Sequence, residues 1–275
     1  MSGTLYIVAT QIGNLEDLSP RARRMLADVA LIAAEDTRHT GRLLSHIGVQ
    51  TPLKAVHEHN ESAIVDSIIA VLEGGASVAL VSDAGTPLVS DPGYRLVAEA
   101  RARGIEVSPI PGPSAVMAAI SAAGLPTDRF CFEGFLPAKS KARVDALRSL
   151  AHETRTLVFY ESVHRIGAML ADLTRVFGAG RRAFIGRELT KLHEQTVSGT
   201  LAEISDRLER GEIPRKGEFV VVVAGGEAAG THAIAEDLAR ELAAVLPVRQ
   251  AATIVAKVTG ARRNEVYQKL LDAKK

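Results

Sequence analysis

A carboxylate and a glycine follow a short apolar run in the stretch VALVSDAGTPLVSDPG, residues 78–93. Val78–Val81 is short and apolar enough for a buried strand, and Asp83 and Gly85 come soon after it. Asp83 can accept hydrogen bonds from ligand hydroxyls, and Gly85 lets a ligand approach the backbone closely. Open α/β sheets bind ligands just beyond the carboxyl ends of their strands. The stretch therefore predicts one wall of a ligand site, although an ordinary strand-loop-helix connection has the same pattern.

Two more predicted strands run into polar loops. Leu5–Ala9 is followed by TQIGN at 10–14, and the apolar run Ala30–Ala34 is followed by AEDTRHT, which ends at 40. TQIGN holds one glycine and is not the G-x-G-x-x-G fingerprint, so it does not support a Rossmann dinucleotide site. Together the three loops indicate a ligand edge on an α/β sheet.

Two helices are predicted to begin beside these loops. Ser90–Pro92 has the form of an N-cap residue with proline at the first helical position, and predicts a helix over Pro92–Arg103. Ser114 has the same N-cap character before a helix of small residues, Ala115–Ala123. Backbone N–H groups at such a helix start can hold a carboxylate or another polar ligand group. A simple capped linker helix fits that spacing equally well.

The order of predicted elements indicates an α/β fold with three parts. Strands alternate with helices in residues 1–112, which argues for a mostly parallel sheet. Pro-Gly-Pro at 111–113 marks the boundary to a second α/β domain, residues 113–226. Residues 227–275 read as an all-helical module that resembles a helix-turn-helix, a pattern shared by small three-helix packing modules.

Composition narrows the class of protein. The chain has 275 residues, of which 47% are hydrophobic and 24% charged, as in soluble globular proteins. The formal net charge is only +1, but the segment Arg249–Lys275 carries seven Lys or Arg against two Asp or Glu. This basic tail suits a nucleic-acid backbone, and a solvated helix face would look the same.

Cysteine, histidine and hydropathy patterns set further expectations. Cys131 is the single cysteine, so no intrachain disulfide can form, which suits a reducing cytoplasm. No basic segment leads into a long apolar run at the start, and no apolar run approaches the roughly 18 residues of a membrane span. No Cys/His cluster has metal-ligand spacing, and His57 with His59 could bind a metal only as a loop pair. We therefore expect neither a metal nor a membrane partner.

Eight motifs in order carry a resemblance that covers essentially the whole chain. They are LYIVAT-x-IGN, AEDTR, SDAGTPLVSDPG, PIPGPSA, F-x-GFLP, FYESVHR, GRELTK and KGEFVVVV. Together they resemble the tetrapyrrole methylase superfamily and, within it, the branch that acts on bacterial small-subunit ribosomal RNA. One departure is Gln11, which stands where the ATPIGN form of the first loop has proline.

The resemblance implies two α/β domains with S-adenosylmethionine in the cleft between them, usually in a homodimer. It implies methylation of a cytidine ribose 2′-hydroxyl in the decoding region of 16S ribosomal RNA, so the partner is that RNA or the small ribosomal subunit. The residues that it implies for cofactor binding are Ile12, Gly13, Asp83, Ala84, Gly85, Thr86, Ser114, Ala115 and Leu189.

The implied reaction selects candidate catalytic residues at strand ends of the second domain. Methyl transfer from a sulfonium is a direct displacement that needs no metal, and a base or a cation near the hydroxyl would help it. Glu161, Glu188 and Lys191 are the candidates, with Glu188 and Lys191 hypothesised as the catalytic pair. Lys191 could stabilise the alkoxide by its charge, or act as base if burial lowers its pKa. A structural ion-pair cluster is the alternative for these residues.

The implied RNA substrate also selects candidate phosphate contacts. These are Arg143, Arg148, Lys257, Arg262, Arg263 and Lys269. Two other functions stay open at this point. One is porphyrinogen C-methylation by a member of the same superfamily, and the other is a non-enzymatic RNA- or DNA-binding regulator. The basic tail and the ESVHR and GRELTK stretches favour the RNA methyltransferase.

Overall fold

The computed structural model describes residues 2–56, 61–226, 231–259 and 262–272. Strands β1 to β10 are, in order, Thr4–Val8, Leu31–Ala34, Leu53–Ala55, Val78–Val81, Glu106–Ile110, Phe130–Phe135, Thr156–Ser162, Arg182–Arg187, Gln195–Thr200 and Glu218–Val223. Helices α1 to α11 are Pro20–Asp28, Thr37–Ile47, Glu61–Glu73, Tyr94–Ala102, Ala115–Ala123, Ser140–Ser149, Ile166–Phe177, Leu201–Glu209, Thr231–Val245, Val248–Thr259 and Arg263–Asp272. Within the described part, no helix is long and apolar enough to cross a membrane.

The first sheet is parallel throughout, as predicted. Its strand order is β3-β2-β4-β1-β5. Helices α1 and α2 cover one face, and α3 and α4 cover the other. Because both faces are buried, the central strand Val78–Val81 is apolar at every position. All five carboxyl ends therefore point to one edge, where the three polar loops meet.

The second sheet is mixed, unlike the first. Its order is β6-β7-β10-β8-β9, in which only β6 and β7 are parallel neighbours. The sequence pattern does not predict β9, because its segment QTVSGT has a single apolar side chain, Val197. Helices α6, α7 and α8 pack on one face of this sheet. Helix α5 packs on the other face, against β8 and β10.

The predicted N-cap at Ser90 is wrong. Helix α4 begins at Tyr94, its N-cap position is Gly93 with φ 120°, and no side chain caps it. Ser90 has a left-handed backbone with φ 70°. A Cβ on Gly93 would lie 2.8 Å from Leu80 Cδ2, so the chain packs closely on the core here. Residues 84–93 therefore form a loop instead of the first helical turn.

The C-terminal helices α9, α10 and α11 form a small group with its own core. Ala251, Ala252 and Val255 of α10 are fully buried against Val266 and Leu270 of α11. Residues 227–230 and 260–261 of the predicted helical module and the His57–His59 pair lie outside the described residues. The two sheets and this group fall within the three predicted segments, and the division into domains stays a prediction.

Candidate functional site

A cavity of about 510 Å³ opens where strand ends of both sheets meet. Ile12, Glu35 and the loop 83–86 line it from the first sheet, and Ser114 lines it from the start of α5. The second sheet contributes the ends of β6 and β7, the turn after β8 and the start of β10. This volume lies within the roughly 300–1,000 Å³ of small-molecule sites.

Backbone hydrogen bonds join the first-sheet loops into one wall. The Thr10 N–H donates to Gly85 O at 2.9 Å, and the Gly85 N–H donates to Gln11 O at 3.3 Å. The Asp36 N–H donates to Asp83 Oδ1 at 3.1 Å. Position 11 contributes through its carbonyl, which proline also has, so the departure from proline leaves this link intact.

The structure brings all but one of the predicted cofactor residues to the cavity wall. Those on the wall are Ile12, Asp83, Ala84, Gly85, Thr86, Ser114, Ala115 and Leu189. Gly13 lies behind the wall against Lys191, whose Cγ would be 2.3 Å from a Cβ at this glycine. Thr86 Oγ1 donates to Pro113 O at 3.0 Å and ties the loop after β4 to the start of α5.

Two wall carboxylates were missed by the sequence reasoning. Glu35 and Asp91 line the cavity near Asp83. Burial, followed by the charges of Asp91 and Asp83, raises the pKa of Glu35. Burial and then the Asp83 charge raise the pKa of Asp91, against a hydrogen bond with Ser82. Both stand in motifs of the family resemblance, Glu35 in AEDTR and Asp91 in SDAGTPLVSDPG, but Ser90–Pro92 was interpreted as a helix start and not as part of a ligand site.

The start of α5 presents backbone donors at the wall. Ser114 holds the N-cap position without a side-chain cap bond. The backbone N–H of Val116 faces the Tyr160 hydroxyl. Burial, followed by the Asp91 charge, raises the pKa of Tyr160 to about 12, so this phenol stays protonated at neutral pH.

Glu188 and Lys191 form an ion-pair cluster on the opposite wall. Lys191 Nζ lies 2.8 Å from Glu188 Oε1 and 2.8 Å from Glu218 Oε2. Glu188 Oε1 also accepts the Glu218 N–H at 3.0 Å. Glu188 and Thr190 have φ of 50° and 67°, so the turn after β8 is tightly wound. A Cβ on Gly217 would lie 2.4 Å from Glu188 Cγ, so glycine is needed behind this carboxylate.

The pKa directions decide what Lys191 can do. Burial alone would lower the pKa of Lys191, but the hydrogen bonds with Glu188 and Glu218 outweigh it and the pKa is raised. Burial alone would raise the pKa of Glu188, but Lys191 and the Glu218 N–H lower it. Lys191 is therefore a cation at neutral pH, and its predicted alternative role as a general base is not supported. An ammonium has three donors, and two of them serve these carboxylates.

Glu161 is buried in the cavity wall near the end of β7. Its side chain is fully buried, and Oε2 lies 3.2 Å from Arg165 Nη2. Oε1 accepts the Ser162 N–H at 2.8 Å. Oε1 therefore has a hydrogen-bond donor, whereas the buried Oε2 has the Arg165 charge nearby but makes no hydrogen bond. Among the described residues, no three His, Cys, Asp or Glu side chains are grouped to hold a metal ion.

The placement of Arg143 on an RNA-facing surface is wrong. Arg143 is only 3% exposed, and its Nη2 lies 2.7 Å from Asp172 Oδ2. Its Nε donates to the same oxygen at 2.8 Å, and its Nη1 donates to Ala138 O at 3.1 Å. Arg143 therefore joins α6 to α7 inside the protein. Arg148, one turn and a half further along α6, is exposed and pairs with Asp145.

The other predicted RNA contacts lie on the C-terminal helical group. Lys257, Arg262, Arg263 and Lys269 are all exposed there. Arg262 Nη1 lies 3.6 Å from Glu265 Oε1, a weak surface pair.

Comparisons with known proteins agree with this geometry. The model of the Tetrapyrrole (Corrin/Porphyrin) Methylases matches residues 4–205, and that of the RsmI C-terminal HTH domain matches residues 229–274. A solved structure of uroporphyrin-III C-methyl transferase from Thermus thermophilus, complexed with S-adenyl homocysteine, has a TM-score of 0.57. It covers 81% of this chain and 97% of its own at 18% identity, which shows the shared fold.

Closer relatives refine the class. The ribosomal RNA small subunit methyltransferase I of Xylella fastidiosa (strain Temecula1 / ATCC 700964) is 54% identical over 96% of this chain and 98% of its own length. The protein of that name from Pseudomonas aeruginosa is 52% identical over 98% of this chain and 97% of its own. The chain therefore belongs to the tetrapyrrole methylases and, within them, to the ribosomal RNA small subunit methyltransferase I family.

Proposed function

We propose that this chain methylates the ribose 2′-hydroxyl of a cytidine in the decoding region of 16S ribosomal RNA, with S-adenosylmethionine as methyl donor. The observation that carries the proposal is the shared cavity, which sets the Asp83 loop opposite the Lys191 ammonium. The family and the exposed cations of the C-terminal group support an RNA substrate. The same basis supports a cytoplasmic enzyme that acts on the RNA or the small subunit.

The first-sheet wall fits the cofactor. S-adenosylmethionine supplies an electrophilic methyl group on a sulfonium. Asp83 Oδ1 is fixed by the Asp36 N–H, and no described residue donates to Oδ2, which can accept from a ribose hydroxyl of the cofactor. Gly85 lies on this wall at φ 77° without a side chain, so the cofactor can approach closely there, although its N–H and C=O are already bonded to residues 11 and 10. The start of α5 offers N–H groups to a carboxylate. Ile12 and Leu189 supply apolar contacts from opposite walls.

Replacing Asp83 by alanine is expected to weaken S-adenosylhomocysteine binding by about 10- to 100-fold, the usual loss for hydrogen bonds to a charged group. Calorimetric titration measures this directly. Asp28→Ala removes an exposed carboxylate from the end of α1 and serves as the control. Equal affinities in the two variants would contradict the assignment of Asp83.

The cavity wall formed by the second sheet supplies a cation that can act on the ribose hydroxyl. The ribose hydroxyl must lose its proton as its oxygen takes the methyl group. A preorganised cation lowers the pKa of the hydroxyl and stabilises the developing negative charge, so that the proton can pass to water. Lys191 has one donor left after its two carboxylate bonds, and its side chain is 28% exposed. We assign Lys191 to this role and Glu188 to holding it in position. Glu161 joins them on the wall, with its Oε2 near the Arg165 charge and without a hydrogen-bond donor.

The C-terminal group is assigned to RNA phosphates, together with Arg148. Because each neutralised phosphate changes the logarithmic salt slope by about 0.7 to 0.9, replacing Arg262 and Arg263 by alanine should flatten it by about 1.5. Filter binding of small-subunit RNA across a salt series measures the slope. An unchanged slope would remove both arginines from the interface.

Mass mapping of 16S ribosomal RNA tests the proposed function as a whole. RNA from cells that lack the gene should miss one ribose methyl group on a cytidine of the decoding region, and the purified enzyme should restore it in isolated subunits. Transfer to a porphyrinogen instead would establish the alternative chemistry. Binding of duplex DNA without any methyl transfer would favour the regulator. Sedimentation of the purified chain tests the expected homodimer.

A further inference from the structure

An exposed phenylalanine lines the same cavity as Lys191. Among the described residues, the large exposed aromatic side chains are Tyr94, at 77%, and Phe135, at 57%. Phe135 lines the cavity and Tyr94 does not. Leaving a phenylalanine ring exposed to water forgoes the free energy that its burial would contribute. Its position in a cavity wall therefore suggests that a ligand covers it.

The backbone is shaped to present this ring. The pairing of β6 with β7 shifts register between Phe132 and Gly134, which marks a β-bulge. Gly134 has φ 62°, and a Cβ there would lie 3.1 Å from Ser90 Oγ in the first-sheet loop. Bulges often re-aim a side chain next to an active site. Here the bulge places Phe135 at the end of its strand, where the two sheets meet.

A second aromatic ring holds Phe135 from behind. The Phe135 and Tyr160 ring centroids are 5.6 Å apart with planes at 60°. Phe132 packs edge-on against Tyr160 at 4.8 Å and 66°. Tyr160 is half-buried and packs against the hydrophobic cluster that includes Val116 and Val220. Phe135 is therefore backed on one side by a fixed ring, while more than half of it stays open.

We propose that Phe135 stacks the unpaired base of the target nucleotide and so brings its ribose hydroxyl toward Lys191. This inference rests on the proposed RNA substrate. Proteins read RNA mainly through unstacked bases that they hold on aromatic side chains. Enzymes that act on a base draw it out of its stack, and a ribose hydroxyl that has to enter a recessed cavity poses the same problem of access. Phe135 and Lys191 line the same cavity from different strand ends, as this arrangement requires.

The test compares Phe135→Leu, which keeps apolar bulk without a π face, with Phe135→Tyr, which keeps the ring. Small subunits from cells lacking the gene are the substrate. Loss of one base stack should lower kcat/KM for the subunits by about 5- to 150-fold in the leucine variant, with the tyrosine variant close to wild type. S-adenosylhomocysteine affinity should be unchanged in both. Tyr94→Leu, the matched exposed aromatic outside the cavity, should have wild-type kinetics.

Each other outcome overturns a defined statement. Wild-type enzyme that transfers no methyl group to subunits overturns the proposed function and this inference with it. Active wild-type enzyme with an equally active leucine variant overturns the stacking role alone. A parallel fall in S-adenosylhomocysteine affinity would assign Phe135 to the cofactor instead. A leucine variant that sediments at a different mass from wild type would assign the ring to contact with a second copy of the chain.

Discussion

Lys191→Ala is expected to slow methyl transfer to small ribosomal subunits by about 10²- to 10⁴-fold at saturating substrates, the range for a positioned acid, base or charge-stabilising group. The reason is that the variant loses the ammonium held by Glu188 and Glu218 on the cavity wall. The affinity of the variant for S-adenosylhomocysteine should stay within about twofold of wild type, because Lys191 is proposed to stabilise the transition state and not the bound cofactor. Single-turnover kinetics and calorimetry separate the two quantities.

Lys216→Ala is the matched control, since it removes an exposed lysine from the neighbouring loop before β10. It should leave both quantities unchanged. A Lys191→Ala enzyme that binds RNA and cofactor normally and keeps full turnover would refute the assignment. In that case the cluster would be a structural ion pair only.

The pH dependence of stability and of the rate tests whether Lys191 acts as a cation or as a base. The folded pKa of Glu188 is lowered, so its contribution to stability is present above its unfolded pKa of about 4.3 and is lost as pH falls through the folded value. The folded pKa of Lys191 is raised, so its contribution is present below about 10.4 and is lost as pH rises through the folded value. Both groups are therefore charged between about pH 6 and 9. The rate ratio of wild type to Lys191→Ala should be constant over that range, because the charge of Lys191 does not change. A ratio that rose with pH would point instead to a deprotonated lysine.

Asp172→Ala is expected to lower the free energy of unfolding by about 3–5 kcal/mol, because it leaves a buried guanidinium without its counter-charge. Arg143 is 3% exposed and keeps only the Pro137 and Ala138 carbonyls as partners in this variant. Asp172 also accepts from Ser140 on α6 and from Arg175 on its own helix, so its loss weakens contacts between α6 and α7 and within α7. Urea unfolding followed by circular dichroism measures the change.

Asp145→Ala provides the matched comparison on the same helix. Its pair with Arg148 is exposed, at 3.2 Å, and should contribute at most about 1 kcal/mol. The double replacement Arg143→Met with Asp172→Leu removes both charges and should recover most of the loss, since apolar residues often replace a buried pair at little cost. Similar stabilities for Asp172→Ala and Asp145→Ala would contradict the buried-pair account.

Much of the ligand edge was predictable from strand patterns. A parallel strand covered on both faces must be apolar, and it must end where the chain turns back along a helix. The apolar run Val78–Val81 and the polar residues after it therefore locate the carboxyl edge of the first sheet without knowledge of the tertiary structure. The first-sheet loops lie together because parallel strands end on the same side, as the Thr10 to Gly85 and Asp36 to Asp83 hydrogen bonds show.

Other features could not be predicted, because they depend on residues far apart in the chain. Gly217 and Glu188 are neighbours only because β10 pairs with β8. Val197 alone is apolar in β9, so no periodicity revealed that strand. Glu218 lies 27 residues from Lys191 in the chain, and its hydrogen bond helps to raise the pKa of Lys191, which argues against a lysine base.

The sequence by itself determined the α/β class, the parallel first sheet, the polar loops at its carboxyl edge and, through its ordered motifs, the family. These features follow from local periodicity, turn chemistry and short motifs, which are legible along the chain. Only the tertiary structure decided that Arg143 is buried against Asp172, that Lys191 is held as a cation and that Phe135 faces the cavity. The physical reason is that the role of a long or aromatic side chain depends on its contacts with residues from distant segments. The local sequence does not show which residues those are.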